Sequence, residues 1–160
     1  MHIRKLTLTL IVLSCSSGEQ QQEQQQGAQA TAVTLEEFRQ LQWIAGTWRG
    51  SGGAYPAFFE EYRIVDDSTI QMRAFSDSTL SVTTDSSWIE FRNGAVNSRG
   101  GGRTNIVVAL AADSVRFAQP GATQGGHTFT RTSPDEWIAT LHPSQAGGQA
   151  TVYIMRRIQR

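Results

Sequence analysis

The chain has 160 residues, a length that suits one domain, and its 14 Lys and Arg balance 14 Asp and Glu to a formal net charge of zero. No basic field invites nucleic acid and no acidic tail is present, so non-specific phosphate binding has no basis here. A single cysteine excludes an internal disulfide.

The N-terminus reads as an address. Met1-His2-Ile3-Arg4-Lys5 is a short basic segment, residues 6–13 are an apolar run too short to span a bilayer, and Cys15 follows Val12-Leu13-Ser14. Apolar, apolar, small, Cys is the pattern of a bacterial lipoprotein signal, with cleavage before Cys15 and diacylation of its thiol. Residues 1–14 are therefore expected to be a signal peptide. A lipidated Cys15 would leave no thiol for a metal or a nucleophile. Ser16 rather than Asp after Cys15 favours the outer membrane, facing the periplasm, in a Gram-negative cell. Loss of Arg4 and Lys5 would reduce the 14 basic residues to 12, all arginine, against 14 acids, a formal charge of −2. Residues 15–33 are Gln-rich and without an aromatic, which predicts a flexible tether holding a folded domain, residues 34–160, off the membrane.

Thr34-Leu35-Glu36-Glu37 is a capping box, in which the Thr34 hydroxyl takes the Glu37 backbone N–H while acids sit at the positive helix end. Leu35, Phe38 and Leu41 follow at helical spacing and predict a short helix over 35–42. From residue 46 onward every segment reads as strand or turn. The strands are expected at 46–51, 57–65, 69–76, 79–92, 95–98, 104–111, 114–119, 127–132, 136–142 and 150–158. Asn93-Gly94 is the strongest hairpin signal, since both residues accept positive φ in a type I′ turn. Ten strands joined by short turns pair antiparallel with their neighbours and close into an up-and-down barrel rather than leave long edges; a two-sheet sandwich is the alternative.

The stretch from Leu41 to Gly53, a helical turn feeding Gly46-Thr47-Trp48, carries a resemblance. It resembles the first strand of the lipocalin-like (calycin) barrels, and together with Gly52 and Tyr55-Pro56 it is similar to the opening of the nitrobindin family. Further landmarks follow in order: Phe59-Glu60-Glu61-Tyr62, Ser68-Thr69-Ile70 with Met72, Glu90-Phe91-Arg92, Val115-Arg116-Phe117 with Pro120, and Tyr153-Ile154-Met155-Arg156-Arg157. These resemble an uncharacterised calycin-like family of secreted bacterial proteins. The resemblance implies a barrel whose floor is plugged by Trp48, with Gly46 admitting close backbone approach and either Arg156 or Arg157 packed over the indole. Two departures limit it. The family's Glu-His-Asp-Phe-Pro run is replaced here by residues 117–126, and neither His127 nor His142 stands in the motif through which nitrobindins hold haem.

Candidate chemistry is sparse. Glu60 and Glu61 are adjacent on a strand and point to opposite faces, so they cannot form a dyad, and one of them should face the interior or pair with an arginine. Gly50-Ser51-Gly52-Gly53 and residues 100–103 precede no helix and read as a bulge and a turn rather than phosphate loops. No metal is expected, because two imidazoles without a free thiol do not make a zinc set; no cofactor is required, haem being a minor alternative. A small apolar or amphipathic molecule is the leading expectation for a partner. Tyr62, Arg73, Trp88, Arg92 and His127 are its expected wall residues, since a mostly apolar pocket orients its ligand with a few polar groups. A structural lipoprotein with a filled barrel stands second. An enzyme stands third, because no nucleophile, base and orienter can be assembled from motifs. An Arg or His beside an unpaired carboxylate deep in a cavity would bring that third reading forward.

Overall fold

The computed structural model describes residues 27–159. The expected signal peptide, Cys15 and the Gln-rich stretch to residue 26 lie outside the described residues. The fold is all-β, a closed antiparallel barrel of ten strands in sequential order, preceded by a short helix. The strands are β1 Gly46–Gly52, β2 Tyr55–Asp66, β3 Thr69–Phe75, β4 Thr83–Arg92, β5 Ala95–Gly100, β6 Arg103–Ala111, β7 Ser114–Ala118, β8 His127–Ser133, β9 Glu136–Leu141 and β10 Thr151–Arg157. β1 pairs with both β2 and β10, which closes the barrel and leaves no unpaired edge.

The two ends differ. At one end four two-residue turns join β2 to β3, β4 to β5, β6 to β7 and β8 to β9. Asn93 and Gly94 take φ of 52° and 76° in one of them, as their turn chemistry requires. At the other end the β3–β4, β7–β8 and β9–β10 connections are the long loops 76–82, 119–126 and 142–150. The expected strand 79–92 starts later, at Thr83, because Asp77 folds its carboxylate onto the Thr79 backbone N–H at 2.8 Å and hydroxyl at 2.6 Å. That local turn outcompetes the ladder.

The short-turn end is sealed by the helix. α1, Leu35–Arg39, starts at the capping box, with the Glu37 N–H donating to Thr34 Oγ1 at 3.2 Å and the Thr34 N–H donating to the Glu37 carboxylate at 2.7 Å. It tightens into a 3-10 segment, Gln40–Ile44, two residues beyond the expected end. Phe38, Leu41 and Ile44 are each 2% exposed and form the cap's apolar face. Arg39 anchors the cap to the β2–β3 turn through Asp67 at 2.8 Å.

Residues 28–33 form a strap bonded to the barrel. A bulge in β6 between Val107 and Ala109 breaks its pairing with β7; the Thr31 N–H donates to Val107 O at 2.9 Å and the Thr31 hydroxyl to Val108 O at 2.6 Å. The Val33 N–H then takes Gly94 O at 2.9 Å, and the Val33 side chain is buried. The strap covers a seam: β5 and β6 pair only between Asn97 and Gly100, so Ala95 and Val96 lack a β6 partner in register.

Candidate functional site

Strand parity decides which side chains see the interior. Trp48 on β1 lies opposite Arg157 on β10 and Glu60 on β2, and all three are on the inner phase. Trp48 is 1% exposed and its indole N–H donates to Ile44 O at 2.7 Å. The Arg157 guanidinium lies 4.2 Å from the Trp48 ring centroid, donates to Ala45 O at 3.0 Å and to Pro134 O, and pairs with Asp135 at 3.1 Å. Gly46, at φ 135°, brings its backbone against that guanidinium. Arg156 points outward to Glu136 at 3.1 Å. Together these residues make a floor, and Trp137 stands on it edge to face with Trp48 at 5.9 Å and Tyr62 at 5.9 Å.

Above the floor the barrel is hollow. A cavity of about 510 Å³ opens toward the long-loop end. Phe58, Tyr62, Phe129, Trp137 and Tyr153 supply its aromatic wall, Met72, Ile89 and Met155 its aliphatic one, and Glu60, Ser87, Ser98 and His127 its polar groups. Tyr55 and Leu141 stand exposed at the mouth. The wall has space because small residues alternate with large ones. Gly50 lies opposite Phe58, and a methyl there would come within 2.2 Å of the Phe58 ring. Phe58 in turn meets Tyr153 edge-on at 5.2 Å.

Tyr62 and His127 line this cavity; Arg73, Trp88 and Arg92 do not. β3 turns Met72 inward, so Arg73 faces out and pairs with Glu61 while lying over the Phe75 ring at 5.4 Å. β4 turns Ser87 and Ile89 inward, which leaves Trp88 and Arg92 outside, the latter bonded at 2.9 Å to Glu90. Arg99 covers the same carboxylate from β5, and the arginine hydrogen bonds hold Glu90 below the usual carboxylate range. Arg73 and Arg92 thus belong to an outer ion-pair layer, while Ser87 of β4 and Ser98 of β5 line the cavity.

Glu60 is the inner member of the Glu60–Glu61 pair. It is part-buried and lines the cavity. Its one hydrogen bond among the described residues is accepted from the Tyr62 hydroxyl at 2.9 Å, and no cation pairs with it. Desolvation pushes it up to about 7, with the Asp85 charge adding to the rise and the Tyr62 bond opposing it. Tyr62 is raised well above its usual value, first by burial and then by the charge and hydrogen bond of Glu60, and stays a phenol. His127 stacks on Phe117 at 4.7 Å and packs against Phe129 at 4.9 Å. Burial, then the charges of His142 and Arg116, lower it to about 4, so it is neutral at pH 7. His142 itself accepts or donates to Thr128 at 2.7 Å. Glu60 and His127 both line the cavity, and among the described residues no hydrogen bond joins them.

Among the described residues no Arg or Lys lines the cavity, and the one imidazole in its wall is wedged between phenyl rings. Among the described residues no cluster of three or more His, Cys, Asp or Glu is placed to hold a metal ion.

The fold and its lining define a class: a closed ten-stranded antiparallel barrel with a capped floor and an open, aromatic cavity. No family model matches the chain, and no curated protein matches it. Among solved structures it is similar to a redesigned β-barrel, at 11% identity and a TM-score of 0.37 over 82% of this chain and 100% of that one. No functional statement follows from that likeness.

Proposed function

We propose that this protein is a lipid-anchored protein of the bacterial envelope whose calycin-like barrel binds a small apolar or amphipathic molecule. One observation carries the binding reading: the barrel's interior is a cavity of about 510 Å³ with five aromatic rings in its wall, within the range of about 300–1,000 Å³ typical of small-molecule sites. A purely structural barrel would gain from filling that space, since buried voids cost roughly 24 cal/mol per Å³. The anchoring reading is supported by the signal pattern ending at Cys15 and by the strap, whose outer end is tied at Ala28 to Gly121 and Ala122 of the β7–β8 loop, one of the long loops of the open end.

Native mass spectrometry on the protein extracted gently from its host membrane tests both halves. A chain beginning at Cys15 and heavier by a diacylglyceryl group, carrying a further reproducible adduct, is the expected result. A chain that retains residues 1–14 without lipid overturns the anchor. A lipidated chain that never carries an adduct, and takes up none from an extract of envelope lipids and metabolites, leaves the cavity without a ligand and overturns the binding reading.

A further inference from the structure

We infer that the molecule taken into this cavity is a small organic amine in its cationic form, its ammonium on the free oxygen of Glu60 and its apolar body against Phe58, Tyr62 and Tyr153. The inference rests on the binding reading above and names the chemical class of that ligand.

Four features of the lining converge. First, Glu60 presents a carboxylate oxygen to the cavity with no partner among the described residues: the Tyr62 hydroxyl engages Oε2, and no guanidinium of those residues reaches Oε1. The contrast with its sequence neighbour is sharp, since Glu61, one residue away and on the outer face, holds Arg73. A carboxylate buried without a counter-charge is a cost that a folded protein does not ordinarily carry. A ligand that brings the missing cation removes it.

Second, among the described residues no Lys or Arg lines the cavity, and burial keeps His127 neutral at pH 7, so no positive charge in that lining competes for Glu60. The other charged group that bears on Glu60 is Asp85 of β4, also negative. The field at the free oxygen therefore favours a cation and opposes an anion. Third, the rings next to Glu60 on the inner phase of β2, Phe58 and Tyr62, together with Tyr153 of β10, offer π faces, and a cation within about 6 Å of such a face is attracted by about 0.5–2 kcal/mol. Fourth, Tyr62 holds the carboxylate by its hydroxyl at 2.9 Å, so the acceptor is oriented before a ligand arrives.

A neutral ligand would leave Glu60 unpaired, and a fatty acid would add a second negative charge beside it. Protonated, Glu60 could instead donate to a neutral carbonyl or alcohol, and that competing chemistry is an outcome of the test.

The test compares three ligands of one shape on the full chain: decylamine, decan-1-ol and decanoate. Binding is followed by the fluorescence of the tryptophans, one of which, Trp137, lines the cavity. At about pH 8 the alkylamine is still protonated, as a lysine side chain would be. Decylamine is expected to bind at least tenfold more tightly than decanol, with decanoate weakest. Its affinity should rise about tenfold per pH unit up to about pH 7 and level off above, because Glu60 must lose its proton to receive the cation. Glu60→Gln should remove the preference for decylamine over decanol. Glu61→Gln, which deletes a carboxylate from the outer face, should change neither. Decanol or decanoate binding as tightly as decylamine, or an amine preference that survives Glu60→Gln, overturns the inference while leaving the binding barrel intact. Failure of all three ligands removes the binding reading and this inference with it.

Discussion

Replacing Glu60 with glutamine should make the protein more stable, and by an amount that depends on pH. The carboxyl titrates at about 7 in the folded chain against 4.5 when unperturbed. Each pH unit of such a move corresponds to about 1.4 kcal/mol, so the desolvated charge costs about 3 kcal/mol at full ionisation; water in the open cavity lowers this to about 2–3 kcal/mol. The sign follows from proton counts. Below about pH 4.5 both folded and unfolded chains hold the proton, and the substitution is nearly neutral. Between about 4.5 and 7 the unfolded chain has released its proton while the folded chain retains it, so the wild type loses stability as pH rises; above about 7 the loss is complete. Glutamine keeps an oxygen for the Tyr62 hydroxyl and carries no charge, so the variant avoids the loss. Urea unfolding of both proteins at intervals from about pH 4 to 8.5 should give a difference in unfolding free energy that climbs from near zero to about 2–3 kcal/mol and flattens above about pH 7. A difference that stays flat across that range would refute the claim that Glu60 is desolvated in the cavity wall.

His127 acts in the opposite sense to Glu60. Burial lowers its value from 6.5 to about 4 on folding, so its contribution is present above about pH 6.5 and is lost as pH drops toward 4, by about 2–3 kcal/mol; the stability of the wild type relative to His127→Phe, which keeps a ring against Phe117, should fall by that amount between about pH 6.5 and 4 in the same urea series, and a difference independent of pH would count against the burial of His127. Trp48→Ala should lower unfolding free energy by about 3–5 kcal/mol, the range for emptying a buried aromatic site, and an unshifted urea midpoint would contradict the placing of the barrel floor. Thr31→Val removes the hydroxyl that donates to Val108 O and should cost about 0.5–1.5 kcal/mol. Hydrogen exchange at β5 and the bulged stretch of β6 should quicken in that variant; equal exchange in the two proteins would mean that the strap does not seal the seam.

Much of the barrel was legible because its turns are chemical signals and its strands alternate. Asp66-Asp67-Ser68, Asn93-Gly94 and Ser133-Pro134-Asp135 each stop a strand within a residue or two of the observed end. The cap was legible for the same reason, since Thr34 and Glu37 fix its first turn. The strap was not. Residues 28–33 carry one apolar side chain that buries, Val33, and their attachment depends on carbonyls that a bulge in β6 leaves free. Nothing in their own composition announces a long-range backbone bond.

The site was only half legible because alternation gives a strand's period and not its phase. Period two says that Glu60 and Glu61 face opposite ways; it does not say which one faces the cavity. The phase is set by β1 and the hairpin that follows it. With Trp48 inward as the floor, a regular ladder from the Gly53-Ala54 turn would carry the Gly52↔Tyr55 pairing down the strand and set Trp48 opposite Phe59, turning Glu61 and its arginine partner inward. The bulge between Gly50 and Gly52 shifts the register by one residue, so that Gly50 meets Phe58 and Trp48 meets Glu60. One extra residue on β2, where Pro56 and Ala57 stand against Ser51 alone, therefore determines whether the cavity holds a neutralised ion pair or a lone carboxylate. The same phase, carried across β3 and β4, puts Arg73, Trp88 and Arg92 outside and Met72, Ser87 and Ile89 within. The cavity's electrostatic character thus follows from a backbone irregularity several residues away from the group that expresses it.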